Sequence, residues 1–321
     1  MDIKELSLKL IEWGVSEHLQ DIYILPVEQK IHVFARKGYN KLMFEELDEQ
    51  EGEKLIFHFK FIGSMDVGEK RKAQVGAVTY RISNDKIVRL RLSTVGDFCQ
   101  RESLVIRFLH QFGNSQENYF LPRQLSDIRK QVHRRGLHLF CGPVGSGKTT
   151  LMYKLAKETD RFQQVITIED PVELEEQTFL QLQTNDKIDL TYDALIKACL
   201  RHRPDILIIG EIRDRSTAQA AIRAALTGHT VFATIHARST TGVYERLKEL
   251  GVKEKEAAEC ITGIIYQRLL FVQGMKQQDM SGLLLDYDFS KRNVSNWEKQ
   301  LRKVWAYGFI DDRTFEEEKE Q

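Results

Sequence analysis

Nine consecutive residues constrain this chain more than any others: Gly142-Pro143-Val144-Gly145-Ser146-Gly147-Lys148-Thr149-Thr150. They fit the pattern G-x-x-x-x-G-K-[ST]. Glycines at that spacing let the backbone curl until its N–H groups converge on phosphate oxygens, and a following helix adds partial positive charge. The preceding apolar run, Leu137-His138-Leu139-Phe140-Cys141, reads as a buried strand, and Leu151, Leu155 and Ala156 afterwards share one side of a helix. Strand, glycine turn and helix form the setting in which such a loop binds nucleotide. Lys148 is then expected to reach the β- and γ-phosphates of ATP, and the Thr149 hydroxyl to ligate Mg²⁺.

The rest of the composition narrows the class. At 321 residues the chain has room for two domains. Lys plus Arg and Asp plus Glu both number 47, so no overall charge draws the chain to nucleic acid or to an anionic membrane. Lys70-Arg71-Lys72 reads as a solvated charge run. Cys99, Cys141, Cys199 and Cys260 are far apart, without a C-x-x-C pair, which argues against zinc and a disulfide framework and for a reducing cytosol. The start, Met1-Asp2-Ile3-Lys4-Glu5, lacks a signal peptide's basic and apolar regions. No apolar run approaches the roughly 18 residues of a membrane span, so any membrane association is expected to be peripheral.

Apolar spacing predicts a helix over 3–19, strands at Asp21–Leu25, Lys30–Arg36 and Lys41–Phe44, and a helix from Asp48 to Phe61. Strands at Ala77–Ser83, Ile87–Ser93 and Leu104–Leu109 complete a small α+β domain, placed at 1–112. Periodicity lapses over 113–122, the expected linker. From 123 to 321 strands and helices alternate, which predicts a parallel sheet wrapped by helices. Its later part is expected to hold helices near 239–250 and 253–266, strands at Leu269–Val272 and Leu283–Asp286, a last helix from about Asn293, and a frayed acidic tail.

Three further segments place chemistry beside the loop. Val165-Ile166-Thr167-Ile168 runs into Glu169-Asp170-Pro171-Val172-Glu173, and the proline should stop the strand so that the acids emerge at the sheet's carboxyl edge. A carboxylate there could orient the attacking water; a solvated acidic loop is the plainer alternative. Ile206-Leu207-Ile208-Ile209 delivers Gly210-Glu211-Ile212-Arg213-Asp214 to the same edge, and Glu211 is the expected Mg²⁺-supporting acid. Asp214 fits a helix cap better. Thr227-Gly228-His229 and His236 flank another apolar strand, where a histidine can sense phosphate or serve structure alone.

Together these boxes resemble the secretion-system and type IV pilus motor ATPases, a RecA-like branch of hexameric nucleotide hydrolases. The resemblance implies a RecA-like α/β ATPase domain behind a small PAS-like α+β domain, with ATP and Mg²⁺ as ligands. By position it implies that Glu169 is the catalytic carboxylate, Glu211 the Walker-B acid, and His229 and His236 a phosphate-sensing pair. Asp21-Ile22-Tyr23-Ile24-Leu25-Pro26 and Arg89-Leu90-Arg91-Leu92-Ser93-Thr94 are similar to the family's N-terminal segments, and Arg107 matches a later arginine. Arg91 and Arg107 are thereby implied to neutralise charge on the phosphates, which suits guanidinium chemistry. Surface strand residues are the alternative.

The chain also departs from the family. His202-Arg203-Pro204-Asp205 stands where Gln-Asp-Pro-Asp is usual, the tetracysteine zinc module after Gln267-Arg268-Leu269 is missing, and a preceding docking domain is not expected. Short length, no zinc module and Gly-Glu-Ile-Arg-Asp resemble the competence-pilus assembly ATPases of Gram-positive bacteria. That implies a cytoplasmic homo-oligomer, a hexamer, at the membrane face, partnered by a polytopic platform protein and without direct nucleic-acid binding. Pilus retraction or type II secretion is the alternative within the family, and a DNA-translocating motor the alternative outside it.

Overall fold

The structure, a computed structural model, describes residues 2–37, 40–83, 86–111, 118–158, 163–185, 188–271, 281–290 and 295–319. It divides into two units, Met1–His110 and Gln111–Gln321. Residues 113–117, half of the expected linker, lie outside the described residues, and Pro122 already opens a helix.

The first unit contains α1 (Ile3–Ser16), β1 (Asp21–Val27), β2 (Lys30–Lys37), β3 (Asn40–Asp48), α2 (Glu49–Ile62), β4 (Gln74–Arg81), β5 (Ile87–Gly96) and β6 (Glu102–Gln111). Both helices begin where an aspartate can cap them. Asp2 accepts from Lys4 N–H and Asp48 from Glu51 N–H, satisfying donors that a helix start leaves open. The strands lie in the order β3-β2-β1-β6-β5-β4, each neighbouring pair antiparallel. Strand alternation sends Ile22, Ile24, Val33, Leu90, Leu92 and Ile106 into a core with Leu10 and Phe59 of the helices. A buried Lys60–Glu102 pair at 2.6 Å ties α2 to β6, with Lys60 also donating to the Glu69 carbonyl. Alternation also puts Arg91 and Arg107 directly opposite each other on the sheet's other face.

The second unit contains α3 (Pro122–Arg129), β7 (Gly136–Cys141), α4 (Lys148–Lys157), β8 (Val165–Glu169), β9 (Leu174–Glu175), β10 (Leu180–Gln183), α5 (Tyr192–Arg201), β11 (Ile206–Ile209) and α6 (Arg215–Leu226). It continues with β12 (Thr230–Ile235), α7 (Gly242–Glu249), α8 (Glu254–Cys260), β13 (Ile261–Phe271), β14 (Ser281–Asp288), α9 (Trp297–Ala306) and α10 (Asp312–Lys319). The sheet order is β10-β8-β11-β12-β7-β13-β14, parallel from β10 through β13, with β14 antiparallel at the edge. Strands β7, β8, β11 and β12 are buried along their whole length, as continuous apolar runs require when helices cover both faces.

Two expectations need correction. The helix expected over 253–266 ends at Cys260, and Ile261 begins the 11-residue strand β13, which also absorbs the described part of the short strand expected at 269–272. Ile261, Ile264 and Ile265 have helical spacing, but they are buried because β13 lies inside the sheet beside β7. The described part of the expected frayed tail, through Lys319, is helical instead, while Glu320 and Gln321 lie outside the described residues. Phe315 of α10 packs with Leu301, Val304 and Leu270, the Trp297 indole donates to Glu318 O at 3.0 Å, and Arg268 pairs with the Glu318 carboxylate. The expected helix start near Asn293 lies outside the described residues.

Candidate active site

Parallel strands deliver their carboxyl ends to one edge. Ile235 of β12 pairs with Cys141 of β7, and Ile209 of β11 pairs with both Ala233 and Ile168. The phosphate-type loop, Glu169, Glu211 and His236 follow these positions, so the sheet brings all four together at the edge where such sheets bind ligands.

The loop has the backbone its glycines permit. Gly142, Gly145 and Gly147 all have positive φ, at 137°, 78° and 81°. A Cβ on Gly142 would lie 2.2 Å from the Gln267 carbonyl of β13, so this turn also needs the absence of a side chain. Pro143, Val144 and Gly145 form the exposed crest, while Ser146 is buried and its hydroxyl has no partner. Gly147 stands at the N-terminus of α4 without a side-chain cap. The N–H groups of Lys148, Thr149 and Thr150, in the first turn, therefore have no intrahelical acceptor to meet. An orphan hydroxyl and uncapped amides suit phosphate oxygens. The Lys148 ammonium donates to Gly142 O at 3.0 Å and Pro143 O at 2.7 Å, lying over its own loop. Burial pushes its pKa down, and the neighbouring Cys141, Glu211 and Glu173 act in the opposite direction.

Glu211 is held from both sides. Its Oε2 accepts from Arg213 Nε at 2.6 Å, and its Oε1 lies 3.0 Å from His236 Nε2. With Thr149 it offers the hard oxygen donors that Mg²⁺ prefers, so the residues present fit that ion. Thr234 and Ile212 fix the turn beneath it: the Thr234 hydroxyl donates to Gly210 O at 2.5 Å, and Ile212 N–H to Thr234 O at 2.8 Å. Asp214 caps α6 through Thr217 N–H at 2.9 Å, as its sequence position suggests.

Glu169 has a different environment. It is 3% exposed, and its Oε1 accepts from the Tyr153 and Thr167 hydroxyls, both at 2.6 Å. Burial raises its pKa, against those two hydrogen bonds. Glu173, four residues on and past Pro171, is exposed and acts electrostatically on Lys148. Spacing alone gives Glu173 no role; the signal that could have found it is its position in the same acidic turn.

The two histidines do not form a pair at this edge. His236 meets Glu211, whereas His229 precedes β12 at the opposite end, roughly 20 Å away by strand rise. His229 Nδ1 lies 3.1 Å from the Thr227 hydroxyl and 3.3 Å from Ala224 O, closing the end of α6. A six-residue strand cannot present both its ends to one ligand. In the first unit, Arg107 makes a two-pronged ion pair with Asp21, at 2.7 and 3.1 Å, and stands beside Arg91. An open cavity of about 610 Å³ adjoins the loop, lined by Gly142, Pro143, His236, Arg238, Tyr266 and Arg268. Its cationic lining suits an anionic occupant.

The type II/IV secretion system protein family model matches residues 2–299. Competence protein ComGA of Streptococcus pneumoniae is 45% identical over 320 residues, covering 99% of this chain and 98% of that one. The Bacillus subtilis protein of the same name is 38% identical over 84% of this chain and 76% of that one. Among solved structures, the ATPase DotB of Legionella pneumophila aligns with a TM-score of 0.74 at 20% identity, over 96% of this chain and 93% of that one. The pilus retraction motor PilT with bound ADP aligns at 0.73 and 22%, over 97% and 96%. These two likenesses show the RecA-like ATPase fold. With its family model spanning both units and a relative similar along the whole length, the chain belongs to the type II/IV secretion system protein family, as an ATP-hydrolysing member.

Proposed function

We propose that this chain is the motor that powers assembly of a competence pilus for DNA uptake. The observation that carries this reading is the 45% identity with a competence protein along both chains' full lengths. The phosphate loop, with its orphan Ser146 hydroxyl and uncapped α4, binds ATP. On binding, the Lys148 ammonium leaves the Gly142 and Pro143 carbonyls for the phosphates, which offer it charge instead of dipoles. The Thr149 hydroxyl and, partly through water, Glu211 would hold Mg²⁺, which would supply neutralising charge to the phosphate oxygens. Arg213 and His236 keep Glu211 in place for that task.

Glu173 is assigned the role of orienting and deprotonating the attacking water. It is the exposed carboxylate that acts on Lys148, whereas Glu169 is buried beneath two hydroxyl donors and is assigned a positioning role. His236 senses the γ-phosphate through Glu211. Arg91 and Arg107 are assigned to charge neutralisation at the γ-phosphate, and loss of that attraction on hydrolysis converts chemistry into movement. The working form is a homo-hexamer at the cytoplasmic face of the membrane, acting on a polytopic platform protein.

Phosphate release by the purified full chain tests the site assignment. Glu173→Gln is expected to lower kcat by about 10²–10⁴-fold, the range for loss of a general base, with KM for ATP little changed. Glu211→Gln should lower kcat comparably and weaken the Mg²⁺ dependence. Unchanged turnover in Glu173→Gln, with loss in Glu169→Gln, would return the base to Glu169.

A further inference from the structure

A second polar cavity lies away from the loop, where the end of β14 meets α3 and the turn after it. It measures about 370 Å³, and its lining includes Asp127, Lys130, Gln131, Tyr287, Asp288 and Phe289. Ile264 of β13 pairs with Asp288 and also with Leu139, two residues short of the end of β7, whereas Gln267 braces the phosphate loop. The cavity is thus set back from the nucleotide edge, and none of the catalytic roles assigned above uses it.

Asp288 is 6% exposed. Its Oδ1 accepts from the Ser290 N–H at 2.8 Å and the Ser290 hydroxyl at 2.7 Å, but its Oδ2 is buried without a hydrogen-bond partner. Gln131 Oε1, on the α3 side, is likewise buried without one. Asp288 and Gln131 both line the cavity and each keeps one acceptor buried without a partner, which is unfavourable unless something donates to both side chains. Asp127 adds a second carboxylate, hydrogen-bonded by the Tyr287 hydroxyl at 3.1 Å and 3.6 Å from the Lys130 ammonium. One cation against two carboxylates leaves the lining one negative charge in excess. The Tyr287 and Phe289 rings, 5.8 Å apart, supply flat apolar walls.

We propose that this cavity binds a guanidinium group. A guanidinium is planar, carries one charge, and presents donors in a fork able to serve acceptors on two walls while its face lies against an aromatic ring. An ammonium is a compact, strongly hydrated point charge and gains less from flat apolar walls. A metal ion fits poorly, because among the described residues no three His, Cys, Asp or Glu side chains converge to hold one. The same chemistry is offered by a free guanidino compound and by an arginine of a protein partner.

Calorimetric titration of the full chain with agmatine, blocked N-acetyl-arginine methylamide and, as the ammonium control, cadaverine tests the proposal. Saturable binding of a guanidinium probe, weakened at least tenfold by Asp288→Asn, with cadaverine inert, supports it. Tighter binding of the blocked arginine identifies a protein source, and tighter binding of agmatine a small molecule. Gln131→Leu, at the half-buried wall, serves if Asp288→Asn does not fold, and it should weaken binding in the same direction. No binding, equal binding to the variants, or equal binding of cadaverine would overturn the proposal. Lys291 and Arg292 follow directly in sequence. Binding seen only in a Lys291→Ala/Arg292→Ala chain would show an internal cation in the cavity and would overturn an external ligand. ATP turnover of the isolated Asp288→Asn protein should match the parent.

Discussion

Two glycines of the phosphate loop should respond very differently to alanine. Gly145 has φ 78° and nothing within 4 Å of the position a methyl group would take, so Gly145→Ala meets backbone strain alone. A left-handed conformation costs an L residue about 1–2 kcal/mol, equivalent to roughly a tenfold loss of nucleotide affinity if it is borne in the bound loop. Gly142 has φ 137°, outside the region where alanine finds even a shallow minimum, which places its strain at the upper end of about 1–3 kcal/mol. Its added methyl would also lie 2.2 Å from the Gln267 carbonyl and 3.1 Å from the Ser146 hydroxyl. That backbone oxygen belongs to β13, a strand held between β7 and β14, so the loop must move instead. The sum should exceed about 3 kcal/mol, or more than about a hundredfold in affinity. A fluorescent ATP analogue titrated into both variants measures the two constants, and circular dichroism checks that the sheet persists. Equal affinities, or tighter binding by Gly142→Ala, would refute the steric reading of this turn.

Two pH predictions follow from buried groups. The folded pKa of Glu169 is raised, so the native state holds its proton more tightly than the unfolded chain, and stability is lost as pH rises from the ordinary carboxylate range through the folded value. Glu169→Gln does not titrate, so its stability relative to the parent should increase as pH rises across that window in urea unfolding; a flat difference would contradict the assignment. His138 has the opposite linkage. Burial pushes its pKa down from 6.5 to about 4, against the hydrogen bond it donates to Arg134 O at 2.7 Å, so the unfolded state binds the proton first and stability drops as pH falls between those values. The full loss is on the order of 3 kcal/mol by pH 4, and His138→Gln should flatten that part of the profile.

The parts of the molecule legible in the sequence are those whose local pattern has one physical outcome. Ile206-Leu207-Ile208-Ile209 is too short and too apolar for a surface helix, and it forms a central strand delivering Glu211. The glycine loop needs no tertiary information to announce itself. Ile261, Ile264 and Ile265 are ambiguous because helical spacing and two-sided burial in a sheet leave the same apolar residues, and only the pairing with β7 decides for β13. The C-terminal residues mislead for another reason: an acidic run looks solvated, while a single Phe315 and the Arg268–Glu318 pair hold it. At the candidate site, spacing locates the acids but not their solvent exposure. Glu169 and Glu173 share one turn, and the Tyr153 and Thr167 hydroxyls that bury one and not the other come from α4 and β8. Similarly, two histidines flanking a strand look like a pair until strand rise separates them.

The most direct measurement is made in the native cell with Lys148→Ala at normal expression, counting surface pili and scoring DNA uptake together. An assembly motor predicts loss of both, because pilus growth stops without ATP. Excess pili would contradict assembly and point to retraction, and normal pili with normal uptake would contradict any role for ATP in this chain's work.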